Sequence, residues 1–134
     1  MLTDTLADLK PRKPLIASMD ISLADAIKQM QDINVGLMAL VDQEGRLAGV
    51  FTEGDVFKKV ACQVDDLDQA QVRDYMTQSV TTLKSDTTIA FAMQMMGLHR
   101  FRHVMIVDEE GKPEGVLSFR AVVTYIEQVY TSNE

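Results

Sequence analysis

Apolar and polar positions along this chain follow two alternating periods. Leu23, Ala26, Ile27 and Met30 recur at the three- and four-residue spacing of one helix face. Just ahead of them, Ser22 and Asp25 supply a hydroxyl and a carboxylate three residues apart, the spacing of a helix start. The pattern predicts an amphipathic helix of about two to three turns. The unbroken apolar run Leu37 to Val41 follows, then the turn-forming Asp42-Gln43-Glu44-Gly45, then Leu47 to Phe51. Two short apolar runs around such a turn predict a hairpin. A second helix is expected to start near Thr52, with Val56 to Val60 on its apolar face, and Leu15 to Ala17 reads as a leading strand. The unit is strand, helix, strand, strand, helix.

The same pattern occurs twice. Val41-Asp42-Gln43-Glu44-Gly45 lies over Val107-Asp108-Glu109-Glu110-Gly111, 66 residues later, and this offset runs ungapped through both halves. Ala24/Ala90, Ala26/Ala92, Met30/Met96, Gly49/Gly115 and Val50/Val116 are identical pairs. In the second copy Thr88 takes the cap position, and Ile89, Ala92, Met93 and Met96 form the stripe, widened by Phe91 and Met95. Its strands are expected at Val80 to Leu83, Val104 to Val107 and Gly115 to Leu117, with a helix from Ser118 whose apolar face is Val122 to Ile126. Even the lead-in is repeated, Leu6-Ala7-Asp8-Leu9 over Val72-Arg73-Asp74-Tyr75. Such a duplication points to a repeat architecture. One copy would leave one sheet face bare, whereas two copies packed sheet against sheet bury both. The expected organisation is residues 6–62, a linker at 63–71 and residues 72–130, the acids Asp65, Asp66 and Asp68 making the linker a solvated loop or a first helical turn.

Composition narrows the function. With 134 residues, 46% hydrophobic, the chain suits one compact α/β (α+β) unit. A net charge of -7 argues against nucleic acid or an anionic membrane as partner. The single cysteine, Cys62, has no intramolecular partner and no metal-ligand spacing around it. No apolar run approaches the roughly 18 residues of a membrane span, and the N-terminus has no basic leader, so a cytoplasmic protein is expected. His99 and His103 are the only histidines, and neither stands in an evident nucleophile–base–acid pattern. Catalytic residues and a metal site are expected to be absent.

Gly49-Val50-Phe51-Thr52-Glu53-Gly54-Asp55 is the stretch richest in candidate chemistry. Thr52 and Asp55 fit a capping box with Phe51 and Val56 as its hydrophobic staple. The counterpart Gly115-Val116-Leu117-Ser118-Phe119-Arg120-Ala121 keeps the cap hydroxyl but has Ala121 in place of the acid. The helix start therefore does not require the carboxylate, and Asp55 is open to two readings, cap or ligand contact. A second feature is Arg100, Arg102 and His103, a basic cluster just before a strand in an acidic chain.

These residues, with Val72-Arg73-Asp74-Tyr75-Met76-Thr77 and Phe101-Arg102-His103-Val104-Met105-Ile106-Val107-Asp108, resemble the tandem CBS domain, or Bateman module. The resemblance covers roughly residues 6 to 130. It implies two β-α-β-β-α units related by a pseudo-twofold axis, pairing commonly into a homodimer. It also implies a regulatory role through an adenosine compound acting on a partner protein that the sequence does not identify: AMP, ADP or ATP first, S-adenosylmethionine or NAD less so. Carried over residue by residue, Asp55 would hold the ribose hydroxyls and Thr52 would approach the phosphate, within the motif that includes Gly49 and Phe51. Ile16 and Ala17 would offer backbone to adenine, and Arg102 or His103 would reach a phosphate. Ser118 is the second cleft's equivalent of Thr52, and with Ala121 beside it that cleft is expected to be empty or to bind by another mode. Arg120 reads as a solvated first-turn residue, and Lys10-Pro11-Arg12-Lys13-Pro14 as a lead-in. The alternative function is a dimeric interaction module without a ligand.

Overall fold

The computed structural model describes residues 4–99 and 102–132. The first apolar stripe becomes helix α1, Leu23–Asp32, with Leu23, Ala26 and Met30 buried and the Ser22 hydroxyl accepting from the Asp25 N–H at 3.0 Å. Strands β2 (Leu37–Val41) and β3 (Leu47–Thr52) form the expected antiparallel hairpin. Asp42 Oδ1 closes its turn by accepting from the Glu44 and Arg46 N–H groups, and Gly45 takes a φ of 83° that a side chain would resist. Strand β1 (Leu15–Ser18) lies parallel to β2, giving the sheet order β1-β2-β3.

The second copy repeats this plan with β4 (Thr82–Leu83), α3 (Ile89–His99), β5 (His103–Val107), β6 (Pro113–Ser118) and α4 (Phe119–Ser132), in sheet order β4-β5-β6. Strand β4 is shorter than the Val80 to Leu83 expected. The two closing helices also differ more than their sequences suggest. In the first copy an α-helical turn α2, Glu53–Asp55, widens into a π-helical turn, Val56–Val60, closed by Ala61 N–H to Val56 O at 2.8 Å. It stops at Cys62, which has a left-handed φ of 63°. Gly54 lowers helix propensity there, whereas Arg120 and Ala121 in the second copy favour the helix that continues to Ser132.

The chain forms two compact units, and neither is a contiguous repeat. One comprises Pro14–Val80 with Glu110–Pro113; the other comprises, among the described residues, 4–13, 81–99, 102–109 and 114–132. Each lead-in joins the other copy's core. Val72 is buried with Leu23, Ala26, Met30, Met38, Leu40 and Phe51. Leu6 is buried with their counterparts Ile89, Ala92, Met96, Val104, Ile106 and Leu117. The lead-ins also satisfy the otherwise unpaired N–H groups at two helix starts: Leu23 N–H donates to Ala70 O at 2.8 Å, and Ile89 N–H to Asp4 O at 2.7 Å.

The two repeated glycines mark where a lead-in backbone crosses a strand. Thr77 exchanges both backbone hydrogen bonds with Val50, and Arg12 does the same with Val116. A Cβ on Gly49 would lie 2.7 Å from Thr77 O, and one on Gly115 would lie 2.9 Å from Pro11 Cβ. Close approach, with no special φ, is what requires glycine at both positions: of a backbone carbonyl at Gly49 and of the Pro11 ring at Gly115.

Candidate functional site

In the first copy's unit the Thr52–Asp55 pair is a complete capping box. Asp55 N–H donates to Thr52 Oγ1 at 3.2 Å, while Thr52 N–H donates to Asp55 Oδ2 at 3.0 Å. The carboxylate does more than cap. It also accepts from Thr77 Oγ1 at 3.1 Å and pairs with Lys59 Nζ at 3.0 Å, and Lys59 in turn donates to Tyr75 O and Thr77 Oγ1. The Asp55 side chain is only 8% exposed. Gly49 is buried beneath Thr77 and Met76, and Phe51 is fully buried in the core, so neither side of this motif presents a free surface through them. Ile16 and Ala17 lie on β1, an edge strand of the same unit, with Ile16 46% exposed.

A different chemistry occupies the second copy's unit. A cavity of about 800 Å³ is bounded by Lys10, Pro11 and Arg12 of the lead-in, Met96 and Gly97 of α3, Arg102 and His103 at the entrance of β5, Val116 to Ser118 of β6, and Phe119 to Ala121 of α4. Its volume suits a small organic ligand. Its floor is apolar, its polar rim is basic, and among the described residues no carboxylate lines it. Local structure sets each cation. Lys10 adopts a left-handed backbone (φ 52°) that turns the chain into the Arg12–Val116 pairing. Arg102 O accepts from Phe119 N–H at 2.8 Å, tying the β5 entrance to the first turn of α4, where Ser118 Oγ caps Ala121 N–H. Tyr125 of α4 donates to Asp4, anchoring the lead-in; that bond holds the Asp4 carboxyl below its usual range and pushes the Tyr125 phenol up to about 12. His103 is held below the ordinary histidine value, first by partial burial and then by the Arg12 and Arg102 charges.

Two groups of expected site residues thus stand in separate units: Ile16, Ala17, Gly49, Phe51, Thr52 and Asp55 in one, and Arg102, His103 and Ser118 around one cavity in the other. Arg100 lies outside the described residues. The sequence marks Lys10 and Arg12 as lead-in and Arg120 as solvated surface, yet all three line the same cavity. The repeated lead-in was the available signal, because repetition marks it as part of the fold; that it covers a strand, and in which copy, is a tertiary fact. Lys59 was missed as the partner of Asp55, although their spacing of four on a helix start is an ion-pair pattern.

Comparison with known proteins adds four findings. The CBS domain family profile matches residues 6–62 and 72–128. A 17.7 kDa uncharacterized protein of Acidianus ambivalens is 29% identical over 126 residues, 94% of this chain and 75% of its own. A mitochondrial CBS domain-containing protein of Arabidopsis thaliana is 32% identical over 101 residues, and the match spans 72% of this chain but about half, 49%, of that protein. Among solved structures, a CBS domain protein from Pyrobaculum aerophilum complexed with AMP superposes with a TM-score of 0.75 at 25% identity, covering 87% of this chain and 88% of that one.

Proposed function

The chain belongs to the CBS domain family, and on that premise we propose that it is a regulatory adenine-nucleotide-binding module. Its repeats, 6–62 and 72–130, are the two CBS domains, joined by 63–71. The nucleotide sits in the second copy's cavity, and its binding alters the fit of the module to a protein partner. The cavity carries this reading: basic groups and an apolar floor meet there, in a chain that is otherwise acidic, as phosphate and base require. The AMP complex of the Pyrobaculum aerophilum relative supports the ligand class. In this reading Asp55 is a structural residue, its carboxylate already satisfied by Thr52, Thr77 and Lys59. The chain acts as a homodimer, supported by exposed Ile33 and Phe57 on one unit and Leu98 and Tyr130 on the other; sedimentation equilibrium should return twice the monomer mass.

Thermal melts with AMP, ADP and ATP test the reading. A ligand at 100 times its Kd adds about 2.7 kcal/mol, which raises Tm by several degrees in a chain of this size. The increment with ATP should shrink in Arg102→Gln/Arg120→Gln and persist undiminished in Asp55→Ala. No increment with any adenine nucleotide sinks the proposal; an increment lost in Asp55→Ala and kept in the arginine variant moves the site to the first copy.

A further inference from the structure

Charge pairing in this protein is lopsided. Lys28, Arg46, Lys59, Arg73, Lys84 and Lys112 each contact a carboxylate. Among the described residues the cations without such a partner are Lys10, Arg12, Lys13, Lys58, Arg102 and Arg120, and four of these, Lys10, Arg12, Arg102 and Arg120, line one cavity. In a chain with 20 acids and 13 lysines and arginines, random placement would give most cations an acid nearby. The cavity lining holds no acid among the described residues.

From this we infer that the cavity is built for a nucleoside polyphosphate, a di- or triphosphate, in preference to a nucleoside monophosphate or a sulfonium nucleoside. The inference rests on the nucleotide reading above and deepens it. The four cations come from three separate stretches: the lead-in (Lys10, Arg12), the β5 entrance (Arg102) and the first turn of α4 (Arg120). A single phosphate carries roughly two negative charges near neutral pH. It neutralises part of this ring and leaves the remainder of the fixed cations repelling one another. A chain of two or three phosphates adds charge and also length, so that groups on separate stretches can each meet an oxygen. Arginine suits that task because its planar fork donates to phosphate oxygens in pairs. A sulfonium nucleoside brings a positive charge to the same ring and is repelled. His103 also lines the cavity, its pKa lowered first by burial and then by the Arg12 and Arg102 charges; an anion there favours its protonated form and adds a donor.

Isothermal titration of the full chain in EDTA, at fixed ionic strength, with AMP, ADP, ATP, S-adenosylmethionine and inorganic tripolyphosphate tests this. ATP and ADP should bind at least about tenfold tighter than AMP, and tripolyphosphate should compete with ATP. S-Adenosylmethionine should bind more weakly than AMP. In Arg102→Gln/Arg120→Gln the ATP affinity should fall toward that of AMP, while circular dichroism shows the fold retained. AMP binding as tightly as ATP, or failure of tripolyphosphate to compete, overturns the polyphosphate inference and leaves the nucleotide reading standing. Absence of binding by every nucleotide overturns both.

Discussion

Asp55 is buried among donors: the Thr52 N–H, the Thr52 and Thr77 hydroxyls and the Lys59 ammonium all reach its two oxygens. Removing it leaves Lys59 and Thr77 with unmatched polar groups in a part-buried place and opens the capping box. Asp55→Ala should therefore cost about 1–3 kcal/mol, read as a lower urea midpoint at unchanged slope. His103 supplies a second test at this scale. Its folded pKa lies below the ordinary value, so between the two values the unfolded chain binds more protons. The associated stability is fully present above about pH 6.5 and is lost as pH falls from there through the folded pKa. Tm should decline over that window, and His103→Gln should flatten the decline by the histidine's share.

At the scale of elements, the strand β3–β6 positions and the lead-ins interlock through glycine. At Gly49 the clashing atom is a backbone carbonyl, which cannot swing aside as a side-chain end can. Gly49→Ala should accordingly cost about 1–3 kcal/mol and lower the protection of the Thr77 and Val50 amides in hydrogen exchange. The contrast between α2 and α4 belongs to the same scale. The first copy's helix start turns Lys59 back onto Asp55 and closes in a π-turn, while the second copy's longer α4 carries Arg120 to the cavity rim. Equal positions in a duplicated sequence have taken a structural task in one copy and a charged surface in the other.

At the scale of the molecule, the compact units are assembled by exchange of lead-ins, so a substitution near the N-terminus acts on the second copy. Leu6 is fully buried against Ile89, Ala92 and Leu117. Leu6→Ala should cost about 2–5 kcal/mol. Its signature is where protection is lost: hydrogen exchange should quicken across α3 and β5 before it does in α1 and β2. Loss confined to residues 15–60 would contradict the exchange. The same assembly delivers Lys10 and Arg12 to a cavity whose other walls lie more than 80 residues along the chain, so on the proposed nucleotide reading Leu6→Ala should also weaken nucleotide binding.

Elements were legible from local rules. The stripe from Leu23 to Met30, the Asp42–Gly45 turn and the Ser22 and Thr52 caps each depend on residues within a few positions of one another, and the 66-residue offset made the second set readable from the first. Helix length after β3 was less legible, because Gly54 and the Lys59–Asp55 pair change it without altering the apolar pattern. The site divided along the same line. Arg102, His103 and Ser118 were visible because they flank a strand and a helix start, whereas Lys10, Arg12 and Arg120 gained meaning only when brought to one cavity. The sequence by itself determined the duplicated strand–helix–hairpin–helix plan, since periodicity and capping are short-range physics. Only the tertiary structure decided which copy each lead-in covers, that Asp55 is satisfied from within, and where the unpaired cations gather, since burial and charge pairing are set by neighbours in space rather than along the chain.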